Sequence, residues 1–392
     1  GSQHLTAPVK PLHLKNSLLA KRTLLTVVLM SVFGVSAAME DLTLTDQSAD
    51  YVYGDLSDFN LISVDRAHSF KSGAINAPNG VLGFTDGYKS GFEPPEGFNN
   101  YDHPIGEYFL VTQFEIDGDT VLNGFYGNGI GTFKGDVEIT GTITREQMET
   151  YATPGSVSKT LPGTFFAGGS YHLGGVVVEG NLKASMVQVG AHQGAYVPPE
   201  YTENGRNVGG LIVKGDVEAD WMIADIATPS SQTYDNNTDY IEIQGDAHIK
   251  NDVYTGGQIN VGGKLTVDGT LYNAFGKYVY TPELGSSEKV EGLQPPDYVA
   301  TTAAELDAKN IVNASNIFVG RLTNSENQVY TQTYGTIRVI DNWFKDSIIN
   351  MSGGVIDEQS LGPDKNLGVN NVYNVSGGTL KVAGLNFDSE VN

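Results

Sequence analysis

The residues that could do chemistry in this chain are scattered rather than gathered. It has seven histidines. His172, His192 and His248 share no ligand spacing such as H-x-x-x-H, and His4 and His13 fall in a leading segment set apart from the fold. No cysteine is present, which removes disulfide staples and thiolate metal sites. No Gly-Asp-Ser-Gly or Gly-x-Ser-x-Gly surrounds a serine. Gly127-Asn-Gly129-Ile-Gly131 lacks both the lysine and the following helix of a phosphate loop, and also the aspartate of a GGxGxDx calcium repeat. Asp117-Gly-Asp119 could take a calcium ion weakly, but it reads better as a solvated turn. Inverting glycoside hydrolysis needs two carboxylates about 6.5–9.5 Å apart. With 46 acids in the chain, some pair meets that by accident, so acidity alone assigns no acid and base. No catalytic residue, cofactor or metal is expected, and the chain is not expected to be an enzyme.

Two further groups of residues invite a binding reading. Asn237-Thr-Asp239 matches the NTD element of polygalacturonases, but their paired aspartates, Gly-His-Gly and Arg-Ile-Lys are absent. Tyrosines gather where loops are expected: Tyr151, Tyr196, Tyr201, Tyr234, Tyr278 and Tyr280. Of these, Tyr196, Tyr201 and Tyr234 are the candidate ligand contacts, with outward stacking along a rod as the alternative role. The sequons at Asn236, Asn313, Asn350 and Asn374 carry little weight if the source is bacterial.

What must position such residues is set by a repeated phrase. Between Tyr240 and Asn273 very short apolar-alternating runs are separated by glycine or Asx every three to six residues. Alternation puts Ile241/Ile243, Ile259/Val261 and Leu265/Val267 on one side of their strands. The glycines at 245, 256, 257, 262, 263 and 269 are expected to supply positive-φ corners. The same phrase, apolar-x-Gly-Asp/Asn/Lys-apolar, is centred on Gly135, Gly180, Gly215, Gly245 and Gly263. A second repeat aligns residues 349–356 with 373–380 at an offset of 24. Strands this short are stable only if coils stack and cover one another, with 18–25 residues per coil.

Three stretches, 153–170, 190–210 and 228–239, read as loops inserted between coils. Thr144-x-x-Gln147 and Thr302-x-x-Glu305 have capping-box spacing and predict two short helices. Residues 39–119 are less regular and are expected to form a β cap or small β-domain, with the solenoid running over 120–392. The fold class is thus all-β, a right-handed parallel β-helix with loop insertions and a less regular N-terminal cap.

Ahead of this lie residues 1–13, read as an expression scar or upstream residues, and then 14–38. The latter joins Lys15, Lys21 and Arg22 to an apolar run over 24–33 and small residues ending at Ala37-Ala38. That is the pattern of a secretory signal peptide cleaved after Ala37 or Ala38. The run is roughly half the ~20 residues a membrane span needs, so no membrane insertion is expected. The formal net charge is −23, which disfavours nucleic acid or an anionic membrane as partner.

Signal peptide, cysteine-free acidic composition, glycine-punctuated coils and the closing Val375-Ser-Gly-Gly-Thr-Leu-Lys-Val382 together resemble the passenger region of a bacterial type V autotransporter over about 120–392. The membrane barrel that ends such proteins does not follow Asn392, which points to a fragment or a secreted chain. The resemblance implies a protein of the surface or exterior of a Gram-negative bacterium. It would act in adhesion to host or bacterial glycan or protein, or in self-association, through loops and rod surface. The alternative is a polysaccharide lyase or glycoside hydrolase on a β-helix.

Overall fold

A computed structural model describes residues 40–65, 67–85, 87–90, 107–110, 112–127, 130–152, 162–167, 175–189, 210–224, 240–274, 300–323, 327–341, 345–358, 370–381 and 389–392. Nearly all of the strands among them join one 27-stranded parallel sheet, the wall of a β-solenoid. Gln258–Asn273 shows one rung in full. It pairs in parallel with Ala300–Asn313, and its register shifts between Val261 and Lys264 and between Val267 and Thr270. Those shifts are corners, and they divide the rung into three short segments. Ile259, Val261, Leu265, Val267, Leu271 and Asn273 point inward and are buried.

Repeating this rung builds three flat faces. The first runs from Glu40–Leu44 through Phe59–Asp65 to Glu390–Val391. The second runs from Asp50–Tyr53 to Thr379–Lys381, and the third from the start of Ile75–Thr85. Tyr240 pairs with Gln258 and Val372 with Glu390, so a bare coil is 18 residues long. At ~4.8 Å per step the second face makes a rod of roughly 55–60 Å. The core is one continuous aliphatic column with a phenylalanine stretch inside its early rungs, where Phe84 and Phe114 stack at 4.5 Å and Phe125 meets Phe165 at 4.8 Å.

The structure departs from the sequence expectations in four places. The solenoid already includes the strands from Glu40 on, because the strands before Thr120 pair in the same ladders. These early rungs carry the phrase only at Gly54-Asp55 and Gly118-Asp119 and are filled by Phe70, Phe84 and Phe114, so the pattern that marks later rungs is too sparse there to reveal them. Residues 302–310 are not helical but lie in the strand Ala300–Asn313. Neighbouring rungs on both sides offer that segment a complete set of backbone partners, which outweighs a local capping box. Thr164–Ala167, expected within a loop, is a fully buried strand. A small antiparallel pair, Gly87–Ser90 with Glu107–Leu110, stands outside the main sheet.

The fourth correction concerns the glycines. Positive φ occurs at Gly141, Gly163, Gly210, Gly335, Gly354 and Gly378, and not at 245, 256, 257, 262, 263 or 269. What requires glycine at 245, 263 and 269 is close approach. A Cβ on Gly245 would strike Oδ1 of Asp216 in the rung below and come to 2.7 Å from the Gly215 carbonyl oxygen. Gly263 stands in the same way over Asp246, and Gly269 over Asp252. By contrast, a Cβ on Gly83 meets nothing within 4 Å.

Gly245→Ala is therefore expected to cost ~2 kcal/mol or more in a denaturant titration, whereas Gly83→Ala stays within about 0.5 kcal/mol of the parent. Equal effects of the two substitutions would contradict the close-approach account.

Candidate functional site

The Gly-Asx phrase stacks on itself at one corner of the solenoid. Oδ1 of Asp119 accepts the backbone N–H of Asp136 at 2.9 Å, Asp136 that of Asn181, Asn181 that of Asp216, and Asp216 that of Asp246, each at 2.8 Å. Asp246 finishes the series on the N–H of Lys264 at 2.8 Å. At the next corner Asp252 does the same for Thr270 at 2.7 Å. Each glycine leaves the space that the Asx below it fills, so the two residues of the phrase are one device. Parallel rungs leave corner N–H groups unpaired by the strand ladders, and a carboxylate or amide one rung down satisfies them.

Beside this corner the third face carries an open groove of about 850 Å³, running lengthwise from Asp119 to Thr266. Its floor column is set by register: Glu138 pairs with Lys183, Lys183 with Glu218, and Glu218 with His248. Charge of opposite sign alternates along it. Lys250 Nζ lies 2.9 Å from Glu218, and that ammonium holds the Glu218 carboxyl below the usual carboxylate range. His248 Nε2 lies 2.8 Å from Asp268 Oδ2. Nearby, Lys134 bridges Glu115 at 2.6 Å and Asp117 at 3.3 Å, and lowers the Asp117 carboxyl. Asp117 and Asp119 are thus spent on an ion pair and a corner cap. Among the described residues no group of three or more His, Asp or Glu is placed to hold a metal ion.

The first face is partly roofed by the chain itself. Thr144 and Gln147 form the expected capping box, with Thr144 N–H on Gln147 Oε1 at 2.9 Å and Gln147 N–H on Thr144 Oγ1 at 3.2 Å. The helix they start, Arg145–Ala152, lies against the outside of the sheet. Ile143 and Met148 pack there on Met186, Trp221, Ile223 and Tyr254. The Arg145 guanidinium sits 4.9 Å over the Trp221 ring and 3.4 Å from buried Asp252, which also takes the Tyr254 hydroxyl at 3.1 Å. Tyr254 stacks on Tyr272 at 4.8 Å. The expected loop tyrosines take no part in this pair; their side chains lie outside the described residues.

Inside the rod, sequence reading missed an amide ladder. Asn273 Nδ2 donates to Asn313 Oδ1 at 2.7 Å, and Asn313 Nδ2 donates to Gln332 Oε1 at 2.6 Å. The Tyr330 hydroxyl joins Gln332 at 2.6 Å. Asn313, a sequon by sequence, is therefore a buried hub that no glycan could reach. Its signal was available: Asn273, Asn313 and Gln332 hold the same register position on successive rungs. Glu358 also stands inward, in register with Val339. It is buried, accepts the Tyr373 hydroxyl at 3.0 Å, and burial pushes its carboxyl up to about 7.

Ala37 and Ala38, Tyr196, Tyr201 and Tyr234, His172 and His192, and Asn237-Thr-Asp239 all lie outside the described residues. His68, unremarked in the sequence, donates or accepts through Nδ1 to buried Asp50 at 2.8 Å.

Two measurements check these assignments. Unfolded, Glu358 titrates at its ordinary 4.5; folded, at about 7. Between those values the folded chain holds a proton that the unfolded chain has released. Stability should fall by on the order of 3 kcal/mol as pH rises from about 4.5 to about 7, then level off. Glu358→Gln should flatten that fall and raise the melting temperature at pH 8. Asn313→Ala, which strands Asn273 and Gln332 together, should cost about 3 kcal/mol in chemical denaturation.

Comparison of the chain with models of protein families, with curated proteins and with solved structures found no match.

Proposed function

We infer that this chain is an exported β-solenoid, displayed at the surface of a Gram-negative bacterium or secreted from it, that works by contact along its flanks in adhesion or self-association. The observation that carries this reading is the form of the groove on the third face. It runs open along many rungs, with opposed charges repeated at rung spacing, instead of converging into an enclosed pocket. A surface of this kind recognises something extended through many weak contacts. The loops at 190–210 and 228–239, with Tyr196, Tyr201 and Tyr234, remain the proposed specificity elements. The signal peptide, cleaved at Ala37 or Ala38, supplies the proposed export route.

The reading is tested by presenting the mature chain to host matrix proteins, to surface glycans and to itself. Binding is expected to at least one of the three, weakened tenfold or more when 190–210 and 228–239 are replaced by short glycine-serine links. A chain of net charge −23 repels its own copies. Self-association, measured by sedimentation, should therefore strengthen as salt rises from about 0.02 M to about 0.5 M. No binding to any of the three would overturn the contact reading. Release of reducing ends or unsaturated products from uronate polymers would replace it with the enzyme alternative.

A further inference from the structure

Near the last rungs the first face changes character. Its outward positions there form two columns set by register. One is aliphatic, with Val329 over Ile348 over Val372, and ends on the last described rung at the exposed Glu390. Val329 is 38% exposed and Ile348 44%. The other is uncharged and polar, with Thr331 over Asn350 over Asn374. Asn392 Nδ2 donates to Asn374 Oδ1 at 2.9 Å, and Asn374 Nδ2 donates to Asn350 Oδ1 at 3.0 Å. The ladder runs one way, so each amide is held in a single orientation. It ends with the Asn350 N–H pair without a partner among the described residues. A second groove of about 480 Å³ lies along this column, and Ser352 and Ser376 also line it. No charged side chain lines it, although the whole chain has a net charge of −23.

We propose that this groove is a binding site for a short neutral oligosaccharide, with sugar hydroxyls on the Asn350–Asn374 amides and Thr331, and ring C–H faces on the aliphatic column. The proposal rests on the contact reading above and gives it a ligand class. Charge decides the class: a polyanion gains no cation here and meets both a strongly acidic chain and Glu390 at the end of the aliphatic column, while a cation finds only that single exposed carboxylate beside the groove and none in its lining. Size decides between a glycan and a second copy. Four rungs at ~4.8 Å by three residues at ~3.4 Å cover on the order of 150–200 Å². That is well below the roughly 600–1,000 Å² per partner of a specific protein interface. The groove's volume, in contrast, lies within the ~300–1,000 Å³ of small-molecule sites. The ladder also lowers the ordering cost of binding, because the amides are fixed before any ligand arrives.

The test uses the full chain, titrated calorimetrically with cellotriose, maltotriose, chitotriose and mannotriose, and with trigalacturonate as the charged control. At least one neutral trisaccharide should bind more tightly than about 1 mM, and trigalacturonate should not. Asn350→Asp retains the oxygen that Asn374 donates to and replaces the outward N–H pair with an anionic oxygen that can only accept. It should weaken binding tenfold or more at an unchanged melting temperature, and Thr331→Val should weaken it several-fold. Lys71→Ala, an exposed position on the second face outside both grooves, should leave binding as it was. Absence of neutral trisaccharide binding, equal binding of trigalacturonate, or indifference to both groove variants would overturn the assignment. If the chain still adheres to a surface while Asn350→Asp changes nothing, the contact reading stands and this groove is not its glycan site.

Discussion

Everything in this molecule depends on successive rungs lying in strict register. Strands of three or four residues gain little individually, and a lone rung would leave both edges and both aliphatic surfaces open. Register is enforced where the strands turn. At the corner the backbone leaves the ladder, its N–H groups need partners, and an Asx oxygen from the rung below supplies one at 2.8–2.9 Å. The glycine beside each Asx brings the corners close enough for this, and backbone bonds between glycines follow, such as Gly245 N–H to Gly215 oxygen at 3.0 Å. A slip of one residue would break the cap, insert a Cβ into a carboxylate and turn the aliphatic face outward at once.

Different stretches of the rod meet the same constraint in different ways. In the early rungs the interior is aromatic, and the glycine at 131 is needed because its neighbour below is Phe114, whose ring atoms would lie 2.5–2.6 Å from a Cβ. In the middle the aliphatic column and the Gly-Asx corner dominate. Toward the end, amides enter the interior, and Asn273, Asn313 and Gln332 satisfy backbone carbonyls at a corner as well as one another. A buried amide network is stable only when complete, so it fixes register more sharply than aliphatic packing can. Glu358 is the one inward carboxylate of its column among the described residues, held by a single tyrosine hydroxyl with its second oxygen unpartnered there.

The same repetition shapes what the surface can do. A parallel solenoid converts a residue at one position into a column along the rod, so chemistry on its flank comes in stripes: alternating charge on the third face, amide and aliphatic stripes near the end of the first. Stripes suit extended or repeating partners. The helix 145–152 interrupts this logic by covering Trp221 and Tyr254, and it is tied down by an arginine that reaches Asp252 from 107 positions earlier in the chain.

The sequence by itself determined the fold class, the inward identity of Ile241, Ile243, Ile259, Val261, Leu265 and Val267, and the capping box at Thr144. Each follows from local periodicity or a fixed short spacing, which need no knowledge of neighbours. The membership of residues 40–119 in the rod, the strand at 300–313, the reason for the corner glycines and the burial of Asn313 were decided only by the tertiary structure. All four depend on what lies one rung above or below. That neighbour is 16 to 45 residues away in the chain, at a distance that changes with every insertion, so its effect on a residue cannot be read from the residues beside it.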